Sequence, residues 1–427
     1  MISLTLFGLL AFLLLISVPI AVALGIASTV ALLVSGKVSA SYVPQGLVTS
    51  IDSFPLMAVP FFILAGDLMG HGGLSKRLVD VGRMFFGRYT GGLAIIAVVT
   101  CIFFAAISGS GPATVAAVGS ILLPAMARDG YRPSFSSGLI SCAGSLGVII
   151  PPSIPMVIYA TSANVSVSKM FMGGVIPGLL IGFALIGYAW WQSKRDGQKP
   201  ETHRPSSREV LAVLNDAKWA LIVPVIILGG IYGGIFTPTE AAAVGVIYGF
   251  FVGAFVYREL KLSDLYKVFA GSALTSASIM LIVGTATIFG RALAIEGVPV
   301  MIANAITSHV SQAWMLLIAI NLLLLVVGTF METIAAIIIL TPILLPLVTA
   351  LGINAEHFGI VMIVNLAIGM VTPPVGVNLF VASRVSGEPL ESVVRGAIAP
   401  MMLMIIVLFI ITFIPALSLA LPAIFGM

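Results

Sequence analysis

Four short interruptions in otherwise apolar stretches hold the residues that could do chemistry. They are Ser108-Gly109-Ser110-Gly111-Pro112, Gly147 with Pro151-Pro152, Gly328-Thr329-Phe330-Met331-Glu332, and Gly369 with Thr372-Pro373-Pro374. Where a helix breaks, the carbonyls ending its first arm lose their partners and, with Ser or Thr hydroxyls, can coordinate a hard cation such as sodium. The N–H groups that start the second arm carry partial positive charge and favour an anion. A first cation site is therefore expected at Ser108 and Ser110, with carbonyls near Gly144, Val148 and Pro151. A second is expected at Gly328 and Thr329 with Gly369 and Thr372. An anionic substrate is expected against Ser108, Ser110, Gly111, Thr114, Ser153, Glu332 and Asn378. Both tips lack Lys and Arg, so backbone dipoles, hydroxyls and bound sodium would supply the counter-charge. Sodium, as coupling ion, is the only metal this reading requires, and it requires no cofactor.

Glu332 is the one carboxylate between Ala313 and Ala350. An acid inside a membrane segment is a functional candidate by default. It could hydrogen-bond a substrate hydroxyl or amide, or carry a proton; alternatively, backbone N–H groups at the start of the second arm satisfy it. Asp67 and Glu240 lie near expected helix ends and are read as solvated.

The interruptions form one pattern that occurs twice. Adding 222 to each number lays Leu122-Leu123-Pro124 on Leu344-Leu345-Pro346, Gly130 on Gly352, Gly147 on Gly369, Pro151-Pro152 on Pro373-Pro374 and Ser110 on Glu332. Punctuating Pro and Gly at a fixed offset are not a product of shared apolar composition, so the chain reads as a duplicated unit. The surroundings are hydrocarbon. Of 427 residues, 59% are hydrophobic and 8% charged, more apolar surface than one water-soluble globule can hide. Ile2 to Gly36, Thr90 to Ala127 and Val268 to Gly290 carry no charge. Cys101 and Cys142 sit in apolar segments as structural thiols. His71, His203, His309 and His357 fall in expected loops and termini without zinc-ligand spacing. The net charge of +4 comes largely from loop Lys and Arg, which in a membrane protein reports orientation and not a nucleic-acid partner.

These constraints predict an all-α polytopic membrane protein of two inverted repeats, each with a re-entrant helical hairpin and a broken helix. The first repeat is residues 1–192: scaffold helices within 1–70, an interfacial arm at 71–88, a hairpin at 91–127, a broken helix at 133–160 and a helix at 170–192. A polar linker at 193–217, with Lys194, Arg195, Lys199, Arg204 and Arg208, marks the cytoplasmic side. The second repeat is 218–427: scaffold helices 218–290, an arm 296–308, a hairpin 313–350, a broken helix 357–384 and a last helix 396–425. Each hairpin arm is too short to cross a core of about 30 Å, which places the tips near mid-membrane. Five spans per half is an odd number, so the second copy enters from the opposite face. The initial apolar run lacks a basic leader and a cleavage site and reads as a first span.

The hairpin Ser108 to Ala117, the break Gly147 to Ser153, the turn Thr237-Pro238-Thr239-Glu240-Ala241-Ala242 and the segment Gly369 to Gly376 resemble, over essentially the whole chain, the large (DctM-like) membrane subunit of tripartite ATP-independent periplasmic (TRAP) transporters. The resemblance implies a multi-pass protein of the bacterial inner membrane and the ion-transporter superfamily. It would work as a sodium-coupled elevator, importing an organic acid delivered by a periplasmic substrate-binding protein, and would not be an enzyme. It also implies a small four-helix membrane subunit, here expected as a separate chain because no extra helices flank the repeats. Family members more often carry Asp in a Gly-x-Phe-Leu-Asp tip, where this chain has the longer Glu332. The first hairpin with Val148 to Ser153 looks most like members that import sialic acid (N-acetylneuraminate), with C4-dicarboxylate importers close. An intramembrane enzyme using Glu332 would need a facing His, Asp or metal ligand; a passive channel differs in rate and saturability.

Overall fold

Helix formation follows the apolar runs, and Pro124, Pro177, Pro224, Pro342, Pro346 and Pro400 lie within helices without ending them. The structure, a computed structural model, describes residues 2–39, 41–200, 206–298, 301 and 312–426, and all regular elements among them are helical. Helices α1 (Ile2–Leu15) and α2 (Ile20–Ser35) form an antiparallel pair, with Pro19 at the N-cap of α2. Helix α3 (Tyr42–Ile51) was not foreseen, because Pro44, Gly46, Thr49 and Ser50 are weak helix formers. Packing holds it: Gly46 lies under Ile288, so close that a Cβ there would meet the Ile288 side chain at 2.3 Å. A 3₁₀ turn, Phe54–Met57, leads into α4 (Ala58–His71).

Helix α5 (Leu74–Phe86) is the expected amphipathic arm, with Leu74, Leu78, Val79 and Gly82 buried. Its Arg77 pairs with Glu259 and with Asp216 (Nε–Oδ2 3.3 Å), and its guanidinium lies 4.0 Å from the Tyr257 ring centre. The first hairpin is α6 (Gly92–Ser108) and α7 (Gly111–Arg128), of 17 and 18 residues. The broken helix is α8 (Pro133–Gly144), α9 (Leu146–Ile149) and α10 (Ile154–Ala163), bent by 42° at the break. Helix α11 (Val167–Arg195) closes this half.

The linker is shorter than the charge pattern indicated. Helix α11 continues to Arg195, and α12 (Ser207–Tyr232) starts 11 residues before the expected 218, opened by a capping box in which Ser206 Oγ accepts from the Glu209 N–H at 3.3 Å and Glu209 Oε2 from the Ser206 N–H at 2.7 Å. Ser-x-x-Glu is a start signal that composition alone hides. Helix α13 (Pro238–Phe251), which runs on as a π turn to Val256, and α14 (Leu262–Ile295) follow. The expected arm at 296–308 lies largely outside the described residues. The second hairpin is α15 (Ala313–Gly328) and α16 (Thr333–Ala350); the second broken helix is α17 (Ala355–Gly369) and α18 (Val377–Ser386). The last helix begins at Leu390, ahead of the expected start at 396: α19 (Leu390–Phe413) ends before Pro415, and α20 (Ala416–Ile424) follows.

Among the described residues seven helices are long and apolar enough to cross a membrane, eight if the bent α8–α10 segment counts as one span. Backbones approach closely at small residues, the packing mode of membrane helices. Gly138 of α8 crosses Gly396 of α19, where a Cβ on Gly396 would meet the Ser134 carbonyl oxygen at 1.8 Å. Gly359 lies against the Tyr159 ring, whose hydroxyl donates to the Ala355 carbonyl at 2.7 Å. His357, expected in a loop or terminus, is buried in the first turn of α17, within reach of Ser418 Oγ (3.2 Å) and the Thr412 carbonyl (3.1 Å).

Candidate functional site

Each helix break folds back on its own hairpin tip. The Ile154 N–H donates to the Gly109 carbonyl at 3.5 Å, and in the second half the Val375 N–H donates to the Thr329 carbonyl at 3.3 Å. A glycine permits each approach. A Cβ on Gly147 would lie 2.4 Å from the Ser110 carbonyl oxygen, and one on Gly369 would lie 2.6 Å from that of Gly328. Pro151-Pro152 and Pro373-Pro374 are both joined by cis peptide bonds. The two tip-and-break units face one cavity of about 660 Å³.

Of the expected residues, Ser108, Ser110, Val148, Gly328, Thr329 and Glu332 line this cavity. Gly144, Pro151, Gly369, Thr372, Gly111, Thr114 and Ser153 lie outside its lining. Several of these serve the tips from behind. Thr114 Oγ1 donates to the Ser110 carbonyl at 2.8 Å and lies 3.0 Å from Ser108 Oγ, which ties the tip to the first turn of α7. Ser153 Oγ donates to the Val148 carbonyl at 2.6 Å across the break. Thr372 Oγ1, just past the end of α17, donates back to the Ile368 carbonyl at 2.8 Å.

Asn378, expected at the substrate, is instead fully buried between halves. Its Nδ2 donates to Ser145 Oγ at 3.1 Å and to the Ser141 carbonyl at 3.3 Å, and it is outside the cavity lining. The start of α18 passes over the first broken helix and carries Asn378 into that packing.

Glu332 is the N-cap of α16. Its Oε2 accepts from the N–H groups of Ile334 (3.0 Å) and Ala335 (3.1 Å), while Oε1 has no hydrogen-bond partner among the described residues. One carboxylate oxygen thus satisfies the helix start, and the other keeps its acceptor capacity.

The opposite wall was missed by sequence reasoning. It comes from Ile63, Gly66 and Asp67 of α4 and from Thr275, Ser278, Ile279 and Ile282 of α14. Asp67, read as solvated near a helix end, is partly buried, lines the cavity and accepts from Ser272 Oγ at 2.5 Å. Gly66 lets α4 pass the first tip: a Cβ there would lie 3.1 Å from the Ser108 Cα. The signal available in the sequence was the run of hydroxyls at 272, 275 and 278, one helical turn apart, on α14. Glu240 is exposed, as expected, in a capping box with Thr237. Among the described residues no Lys or Arg lines the cavity. Hydroxyls, tip carbonyls and two carboxylates are ligands of the kind that hard cations take.

Comparison with known proteins places this architecture. Residues 7–417 match the family described as the tripartite ATP-independent periplasmic transporter, DctM component. An isethionate TRAP transporter permease protein, DctMQ, of Oleidesulfovibrio alaskensis is 51% identical over 411 residues, 96% of this chain and 65% of the relative; the chain thus spans about two thirds of that protein's length. A C4-dicarboxylate TRAP transporter large permease protein, DctM, of Pseudomonas aeruginosa is 46% identical over 95% of this chain and 94% of the relative. The sialic acid TRAP transporter large permease protein SiaM of Vibrio cholerae is 36% identical over 92% of each. Among solved structures, the YdaH transporter of Alcanivorax borkumensis shares the fold, with a TM-score of 0.63 over 89% of each chain at 15% identity.

Proposed function

This chain belongs to the DctM family of tripartite ATP-independent periplasmic transporters, multi-pass proteins of the bacterial inner membrane, and we propose that it imports a small organic anion by sodium-coupled secondary active transport. The single observation that carries the reading is the meeting of two hairpin tips and two helix breaks at one cavity with no basic side chain. In hydrocarbon an unpaired backbone group costs several kcal/mol, so such interruptions persist where they bind something. Sodium held by tip hydroxyls and carbonyls supplies the charge that an anion lacks from the protein. Ser108, Ser110 and Val148 serve one cation; Gly328 and Thr329 serve the other, with Gly369 and Thr372 shaping the break. The anion lies against the tips, with Glu332 Oε1 accepting from a substrate hydroxyl.

The two hairpins and the two broken helices move with their bound substrate as one block against a scaffold of the remaining helices, α4 and α14 among them, in the manner of an elevator. The substrate arrives on a periplasmic binding protein, and a small membrane subunit completes the permease. Relatives named for isethionate and C4-dicarboxylates are 51% and 46% identical, against 36% for the one named for sialic acid. These identities favour a small sulfonate or dicarboxylate over sialic acid as the substrate. Two sodium ions with a monovalent sulfonate, or three with a dicarboxylate, carry one net positive charge inward, worth about 2.3 kcal/mol at 100 mV.

Uptake by proteoliposomes holding this chain and the small subunit, with the binding protein outside, tests the mechanism. The expected result is dependence on sodium, saturation with substrate and acceleration when the interior is negative. Uptake that continues without any ion gradient overturns coupling. Competition of unlabelled isethionate, succinate and N-acetylneuraminate for the binding protein ranks the substrates.

A further inference from the structure

A second polar cleft lies away from the cavity, at the end of the molecule that carries the linker. It has a volume of about 390 Å³ and is lined by Arg132, Tyr188, Gln192, Arg195, Asp196 and Arg395, among others. Three guanidinium groups face one carboxylate. Asp196 is already engaged: it accepts from Arg132 (Nη2–Oδ1 2.7 Å, Nε–Oδ2 3.0 Å) and from Gln192 Nε2 at 3.0 Å. Arg195 and Arg395 have no ion pair among the described residues. The cleft is thus left with a surplus of two positive charges.

What adjoins it is apolar and exposed. From Arg395 the exposed residues of α19 continue as Ile398, Met402, Ile406 and Ile410, at steps of three and four, along one face of the helix. From Arg195 the exposed positions of α11 continue back as Trp191, Gly187 and Phe183, at steps of four. Helices α11 and α19 are packed side by side. Two exposed, largely apolar stripes thus start at the cleft, each headed by an arginine without an ion pair among the described residues, and Arg132 lines the same cleft. The Gly396–Ser134 contact brings α19 and α8 together beneath the cleft.

We propose that this cleft binds the phosphate of an anionic phospholipid, with its acyl chains lying along the stripes of α11 and α19. Guanidinium groups take phosphate oxygens in bidentate fashion, and basic pockets between membrane helices on the cytoplasmic side hold anionic headgroups. Excess Lys and Arg in the linker assign this end to the cytoplasm. Trp190 and Trp191 are both exposed beside the cleft, with Lys194 and Arg195 near their rings, and form the aromatic boundary between headgroups and chains. The apolar stripes select a lipid over free phosphate, because a soluble anion makes no use of them.

The test uses the full chain in phosphatidylcholine nanodiscs, with Trp219→Phe and Trp314→Phe so that Trp190 and Trp191 are the remaining indoles. Brominated phosphatidylglycerol should quench their fluorescence at lower mole fraction than brominated phosphatidylcholine does. Arg195→Gln and Arg395→Gln should each reduce that preference about fivefold, and the double variant should abolish it. Lys169→Gln, at the opposite end of α11, should leave it unchanged. Neither arginine makes an ion pair within the described residues, so both variants are expected to fold; retained helical circular dichroism checks this, and native mass spectrometry for phosphatidylglycerol carried through purification gives a second reading. Equal quenching by the two lipids, or a preference that survives the double variant, overturns the proposal. Loss of the preference on adding millimolar inorganic phosphate points to a free-phosphate site and overturns it too. Shielding of both tryptophans from every brominated lipid once the small subunit is present assigns the face to a protein partner instead.

Discussion

Gly369 sits against Gly328 with no room between: a Cβ on Gly369 would lie 2.6 Å from both the Cα and the carbonyl oxygen of Gly328. The neighbour is backbone, so it has no flexible end that can move aside. Gly369→Ala is expected to destabilise the protein by about 1–3 kcal/mol, as overpacking does, and to abolish uptake by shifting the second tip. Gly229→Ala, which meets nothing within 4 Å, should leave both unchanged. Thermal unfolding in detergent and proteoliposome uptake together check the pair.

Glu332 has two duties that substitution can separate. Glu332→Ala removes the N-cap of α16 and should cost about 0.5–2 kcal/mol. Glu332→Gln keeps an oxygen for the Ile334 and Ala335 N–H groups and should retain most of that stability. If Oε1 meets substrate, both variants change selectivity among anions while sodium dependence persists, and a Gln variant with normal uptake of every anion counts against that role. Ser110→Ala should do the reverse, weakening sodium dependence.

Asp67 faces the cavity from α4. Asp67→Asn removes a charge that concentrates cations there and should raise the sodium concentration for half-maximal uptake about fivefold, the equivalent of ~1 kcal/mol. Asp67→Glu should keep the original value. Ser272→Ala removes the 2.5 Å donor to Asp67 and should cost about 1–3 kcal/mol of stability.

Arg77 joins the arm to the linker side of α12 and to the segment after α13 through Asp216, Glu259 and the Tyr257 ring. Arg77→Met keeps the apolar stem and removes the charge. About 1–2 kcal/mol of stability should be lost, since the partners are partly exposed but the cation lies over an aromatic face. The loss should shrink at high salt, read from unfolding at two ionic strengths.

Tyr131, in the loop between α7 and α8, is buried, and burial first, then the neighbouring Asp129, pushes its phenol up to about 12. The unfolded chain ionises near 10, so its stabilising influence is complete below that pH and is lost as pH rises from about 10 to about 12. Tyr131→Phe should therefore flatten part of the alkaline fall in unfolding free energy while leaving the neutral-pH sodium dependence alone.

The positions of the interruptions were legible from the residues because Pro and Gly act locally. Helix α6 ends at Ser108 with Gly109 at φ 61°, and α15 and α17 end at Gly328 and Gly369, each at an expected interruption, whereas Pro124, Pro177, Pro342 and Pro400 lie inside helices and end none. The start of α12 was masked by charge, although its capping box is equally local. Which side chains face the cavity was a different matter. Asp67 and Ser272 are 205 positions apart, and Ser145 and Asn378 are 233 apart; no periodicity links them. Only packing decided that Asp67 looks into the cavity and Asn378 away from it, because the direction of a side chain on a helix follows from what its neighbours leave open. The apolar composition and the doubled Pro-Gly spacing thus determined a helical membrane protein with two broken units, and tertiary packing decided which of their oxygens line one cavity.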